Sequence, residues 1–127
     1  MIRFAVSSLV CLNIASTALA QGSTGINRKV VAKADSSIPG FEAIVARVEL
    51  SAGSVAGRHT HNGDEIGYVM EGGGELLIDG ETPRVLKAGD AFIIPAGRVH
   101  DARTGTGIQL ISTYVVEKGK PLASSGK

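Results

Sequence analysis

Three histidines and one glutamate are the residues of this chain best suited to shared chemistry. His59 and His61 stand one residue apart. On an extended strand, residues i and i+2 face the same side, close enough for two imidazoles to hold one metal ion. Glu65 follows four positions after His61, and a short turn through Asn62-Gly63-Asp64 would return its carboxylate to the same face. His100 lies far along the chain and has to be delivered by the fold. Three imidazoles and a carboxylate suit a divalent transition metal: iron, manganese, nickel, cobalt, copper or zinc. A His-x-His pair alone is a weak signal. The residue chemistry by itself therefore leaves two readings open, a metal site and histidines without a role.

The elements that would position these side chains are short strands. Phe41 to Leu50 places Ile44, Ala46, Val48 and Leu50 on one face at period two, the pattern of a half-buried strand. Further strands are predicted at Glu65 to Glu71, Glu75 to Asp79, Thr82 to Leu86, Ala91 to Ile94, Val99 to Arg103 and Ile108 to Val116. Turn residues separate them, among them Gly72-Gly73-Gly74, Ala88-Gly89-Asp90 and Pro95-Ala96-Gly97. Asp79-Gly80 is a hairpin signal. Residues 21–40 are expected to form a loose polar arm with one strand around Arg28 to Lys33, and residues 117–127 a flexible tail. No stretch carries three turns of amphipathic helix. Seventeen glycines in 127 residues agree with many tight turns. The expectation is a single all-β domain, a sandwich or barrel, with its chemistry at the barrel mouth.

Charge excludes some partners. The formal net charge is +1, and Arg3 is the only charged residue among the first twenty, so the rest of the chain is neutral overall. That balance gives no reason to expect nucleic acid or an anionic membrane. Met1 to Ala20 has the pattern of a cleavable secretory signal peptide: Arg3, an uncharged run from Phe4, and Ala18-Leu19-Ala20 as a small-x-small cleavage site. The run includes Ser7, Ser8, Asn13, Ser16 and Thr17 and is marginal for spanning a bilayer. The expected location is periplasmic or secreted, with no membrane contact after cleavage. Cys11, the single cysteine, would leave with the signal. Disulfides and thiolate chemistry would leave with it.

The spacing around the histidines decides between the two readings. Gly53 is followed by five residues, then His59-Thr60-His61, three residues, Glu65, six residues and Gly72. Later, Gly89 is followed by five residues, Pro95-Ala96-Gly97, two residues and His100. This resembles the two signature motifs of the cupin superfamily, with nine positions in register over about Phe41 to Val116. Thr104 stands where the family's second motif has an asparagine. The resemblance implies a double-stranded β-helix, or jelly-roll barrel. It also implies metal ligands at His59, His61, Glu65 and His100, turns at Gly53, Gly72, Gly89 and Gly97, and a strand end at Pro95.

What the resemblance implies about activity is a metal-dependent, quercetin-dioxygenase-like enzyme acting on a small enol or carboxylate compound, with Glu65 as ligand and proton relay. The alternatives are an isomerase or lyase using the same metal, and a non-catalytic module that binds or senses a metal or small ligand. One carboxylate on a 2+ ion leaves positive charge, which favours an anionic guest. Cupins commonly pair, so a homodimer is expected, with residues 21–40 available for strand exchange. Other polar residues are weaker candidates. Arg58 and Tyr68 are expected to face away from the metal, and Phe92 and Ile94 to belong to the core. Gln109, Thr113 and Tyr114 are possible ligand contacts. Asp64 and Asp101 flank ligands and are more often plain turn carboxylates than orienting partners, and Asp90 is expected to serve a turn.

Overall fold

The computed structural model describes residues 25–127, so the expected signal peptide lies outside the described residues. Nine strands follow one another: β1 (Ile26–Asp35), β2 (Phe41–Leu50), β3 (His59–Thr60), β4 (Gly63–Ile78), β5 (Arg84–Lys87), β6 (Ala91–Ile94), β7 (His100–Arg103), β8 (Ile108–Glu117) and β9 (Ser124–Ser125). All pairings are antiparallel. No helix occurs among the described residues. The all-β expectation holds, and the sheet curls into the double-stranded β-helix that the motifs implied.

Strand β4 joins the two halves of that curl. Its first part, from Gly63 to Gly72, pairs with β8 and β6, and its second part, from Gly73 to Ile78, pairs with β5 and β7. The sequence predicted two strands here, broken by the triple glycine. The chain instead passes through the glycines without leaving the sheet. Gly72 carries the bend at φ 74°, and a Cβ there would meet the carbonyl oxygen of Gly107 at 2.1 Å. Only glycine fits both conditions.

The core follows the alternation read from sequence. Ile44, Ala46, Val48 and Leu50 of β2 are buried, as are Ile108, Leu110, Ser112, Tyr114 and Val116 of β8. Both runs point into the barrel at period two. Gln109 and Thr113 therefore face away from the interior, and of the three candidates on this strand only Tyr114 points inward. Tyr68 is exposed and Arg58 forms an exposed two-pronged ion pair with Asp79, both as expected. Thr104, at the position of the family asparagine, is buried and closes its own loop: its hydroxyl donates to Gly73 O at 2.6 Å and accepts from Gly107 N at 2.9 Å.

The arm carries the strand expected around Arg28 to Lys33 and extends it, and the tail expected to be flexible is ordered. The arm contributes a ten-residue strand, β1, paired along its length with β2 of the same chain. The tail returns as β9, which pairs with β3 through His59–Ser125 and Thr60–Ser124. Composition understated the order in both places, because the order comes from main-chain pairing to a neighbouring strand edge, which leaves no mark in side-chain polarity.

Candidate metal centre

The fold brings all four predicted ligands together. His59 lies on β3 directly opposite His100 on β7. His61 follows β3, and Glu65 sits near the start of β4, opposite Tyr114 of β8. The imidazole centroids are 4.1 Å apart for His59–His100, 4.9 Å for His59–His61 and 5.1 Å for His61–His100. One ligating atom from each of the four residues lies within 4.8 Å of all the others. His61, Glu65 and His100 are buried, and His59 is half-buried.

Each ring is held by a main-chain carbonyl. His59 Nδ1 donates to Gly57 O at 2.6 Å, His61 Nδ1 to Leu122 O at 2.7 Å, and His100 Nδ1 to Arg98 O at 2.9 Å. A carbonyl can only accept, so each Nδ1 carries a proton, and in the neutral ring the Nε2 lone pair then faces inward. This is the outer support usual for metal-binding histidines. His61 Nε2 lies 3.0 Å and His100 Nε2 3.4 Å from Glu65 Oε2. Both Nε2 atoms are nonetheless buried without a hydrogen-bond partner. A neutral ring whose one N–H is already used turns a lone pair, not a donor, toward the carboxylate. Lone pairs facing lone pairs in a water-poor space are costly, and a cation among them removes the cost. The donor set therefore fits a divalent metal.

Glu65 is the anionic member. Burial is the largest influence on it and opposes its charge. Hydrogen bonding from the His100 and His61 rings in their charged form and a hydrogen bond from Ser112 Oγ at 2.8 Å outweigh burial, holding the carboxyl well below the usual carboxylate range. His59 lies below the ordinary histidine range, chiefly through burial; its bond to Gly57 opposes the shift, and the neighbouring His100 and His61 add to it. Both directions suit cation binding, which needs neutral imidazoles and an ionised carboxylate.

Asp64 and Asp101 do not touch the rings. Asp101 Oδ1 accepts from Gly57 N at 2.8 Å and so fixes the loop whose carbonyl holds His59. Asp64 Oδ1 accepts from Ala96 N at 3.0 Å in the neighbouring turn. Asp90 accepts from Lys87 N at 2.9 Å, which is a turn role.

A small cavity of about 30 Å³ opens beside the cluster, lined by His59, Glu65 and His100 together with Arg28, Phe92 and Tyr114 among others. Larger surface hollows of about 340 and 590 Å³ lie elsewhere and contain no histidine. Chemistry therefore belongs to the small one. Tyr114 is fully buried, its ring centroid 4.8 Å from that of His61. Its phenol is pushed up to about 12, by burial first and then by the Glu65 charge. Arg28, Ser112 and Leu122 escaped the sequence reading as site residues. Ser112 had a signal, since it is the one small polar residue in the inward run of β8. Arg28 alternates inward with Ile26. Leu122 acts through its carbonyl and had no side-chain signal.

The pattern of the cupin domain matches residues 46–117, more than half of the chain. The chain is a cupin. The pectin degradation protein KdgF of Dickeya dadantii is 32% identical over 77 residues, which span 60% of this cupin and 64% of that protein. The dimethylsulfoniopropionate lyase DddQ of Ruegeria pomeroyi is 37% identical over 57 residues, 45% of this cupin and 28% of the lyase. This cupin thus matches less than two thirds of the length of either relative. The solved structure of KdgF from a Halomonas species superposes with a TM-score of 0.59 at 32% identity, covering 74% of this cupin and 82% of that chain. A double-stranded β-helix protein from Klebsiella pneumoniae gives a TM-score of 0.65 at 21% identity over 81% and 88% of the two chains, a likeness of fold.

Proposed function

We propose that this cupin is a metal-dependent enzyme acting on a small acid or enol. The observation that carries the reading is the convergence of the His59, His61 and His100 rings and the Glu65 carboxylate at the end of an apolar cavity. A bound divalent ion would supply Lewis-acid polarisation of a substrate oxygen. The chain supplies the rest. Leu50, Leu76, Phe92, Ile94 and Leu110 line the space and exclude water. Glu65, ionised and braced by Ser112, is the group in place to accept a proton. Tyr114 keeps its proton and can donate a hydrogen bond to an oxyanion.

The relatives named above support catalysis over passive binding, and the lyase among them supports proton transfer and elimination chemistry without dioxygen. The oxygenase-like chemistry implied by the resemblance uses the same open centre and is the second reading. A panel of small hydroxy, keto and unsaturated carboxylates, incubated with each metal-loaded form under nitrogen and under air, separates the two by product analysis. A metal-dependent product under nitrogen supports the first. Product formed only with oxygen consumption supports the second. Recovery of an unaltered bound compound by mass spectrometry, with no turnover, would favour the binding module and overturn the enzymatic reading.

Export with cleavage after Ala20 and assembly as a homodimer belong to the same proposal. The exposed apolar residues Ile66, Tyr68, Met70 and Ile93 on the outer face of β4 and β6 support the latter. N-terminal sequencing of protein from its native compartment and light scattering after size exclusion test them.

A further inference from the structure

Arg28 is a cation inside an apolar barrel. It stands opposite Val48 in the β1–β2 register and, like Val48, points inward. Ile26, Val48, Leu50, Leu76 and Leu110 are the apolar residues that line a cavity together with it. A buried or half-buried arginine is normally matched by a carboxylate. Among the described residues Arg28 forms no ion pair. Its hydrogen bond runs from Nε to Tyr114 Oη at 3.2 Å, with the guanidinium carbon 5.6 Å from the centre of that ring. The two terminal nitrogens make no hydrogen bond among the described residues, and a guanidinium fork with such nitrogens matches a carboxylate.

The position of this fork matters as much as its chemistry. Arg28 lines the same small cavity as His59, Glu65 and His100. We infer that Arg28 is the anion-binding residue of the centre, holding the carboxylate of a small acid whose other oxygen donor reaches the metal. The metal contact rests on the function proposed above; the contact with Arg28 stands on the geometry of this side chain. Charge agrees, since a divalent ion, Glu65 and Arg28 together leave two positive charges for a guest to balance. Size agrees as well. A cavity of about 30 Å³ admits a group of a few atoms. An entering carboxylate would take over from Tyr114 Oη as the partner of the guanidinium.

The test uses the cobalt-loaded protein and three probes: malonate and succinate, which can bridge the two contacts, and acetate, which cannot. Affinities are read by calorimetry and by the cobalt absorption spectrum. The wild type is expected to bind a dicarboxylate more tightly than acetate. Arg28→Ala is expected to weaken that dicarboxylate about ten-fold or more, leave acetate within about two-fold, and keep the same cobalt content, while Arg28→Lys retains part of the affinity. Tyr114→Phe is expected to cost clearly less dicarboxylate affinity than Arg28→Ala, because the fork remains. The assignment is overturned if Arg28→Ala binds the dicarboxylates as the wild type does, or if the wild type prefers neither to acetate. It is also overturned if Tyr114→Phe reproduces the full loss, since Arg28 would then act only by holding Tyr114. Absence of cobalt uptake by the wild type would instead overturn the metal centre. The same comparison on metal-free proteins then decides Arg28: loss of dicarboxylate binding on removing the arginine supports the assignment, and no difference overturns it.

Discussion

His61 Nδ1 donates its proton to the carbonyl of Leu122, 61 residues further along the chain, at 2.7 Å. The same terminal segment bonds Asn62 through Pro121 O and returns Gly126 N to Arg58 O. The C-terminal residues thus act as a strap behind the first His-x-His pair. Deleting residues 121–127 removes the acceptor without touching any metal-binding side chain. Metal affinity is expected to fall about 10–100-fold, measured by competition with a chromogenic chelator, while far-ultraviolet circular dichroism retains the β signature.

His59→Ala and Glu65→Ala each remove a donor from the cluster. Both variants are expected to lose most bound metal by elemental analysis. In the wild type, metal at a hundred times its dissociation constant should add about 2.7 kcal/mol to stability, a rise in melting temperature of roughly 10 °C or more for a domain of this size. That rise should vanish in both variants. Unchanged metal content in both would show that the ligands are misassigned.

Ser112 is completely buried and donates to Glu65 Oε1. Ser112→Ala leaves a buried carboxylate oxygen without its donor, at an expected cost of about 1–3 kcal/mol in the metal-free protein. The cost should depend on pH. The folded state holds the Glu65 carboxyl below its ordinary value, so its stabilising contribution is present above the unfolded carboxylate range and lost as pH falls. Urea unfolding at neutral and acid pH should show the variant approaching the wild type as the pH drops.

The two tyrosines of the chain differ in exposure, Tyr68 being open and Tyr114 fully buried. Ultraviolet difference titration of the metal-free protein should show Tyr114 ionising only near 12. A phenol raised in the folded state stabilises the fold below the unfolded value, and that contribution fades as pH climbs through the folded one. Tyr114→Phe should remove the late step.

The side-chain part of the centre was legible because its spacing is fixed by strand geometry. His59 and His61 share a side and Glu65 follows one turn later, but the family pattern was needed to read them as ligands and to place His100. The alternation of β2 and β8 likewise carried the core. The ordered tail and the full length of β1 could not be seen, since Leu122 and the β1–β2 ladder act through main-chain groups that every residue possesses. Arg28 was hidden for a different reason. A lone inward charge on a strand of mostly exposed residues looks like surface until the partner strand is known.

All three rings are oriented by peptide oxygens, those of Gly57, Arg98 and Leu122. Substitutions at Arg98 and Leu122 leave the peptide oxygens in place, whereas Gly57, at φ 87°, has to stay glycine. Descendants of this barrel can therefore change the apolar walls and the entrance charge over generations without retuning the ion, which uncouples inherited reactivity from newly acquired selectivity.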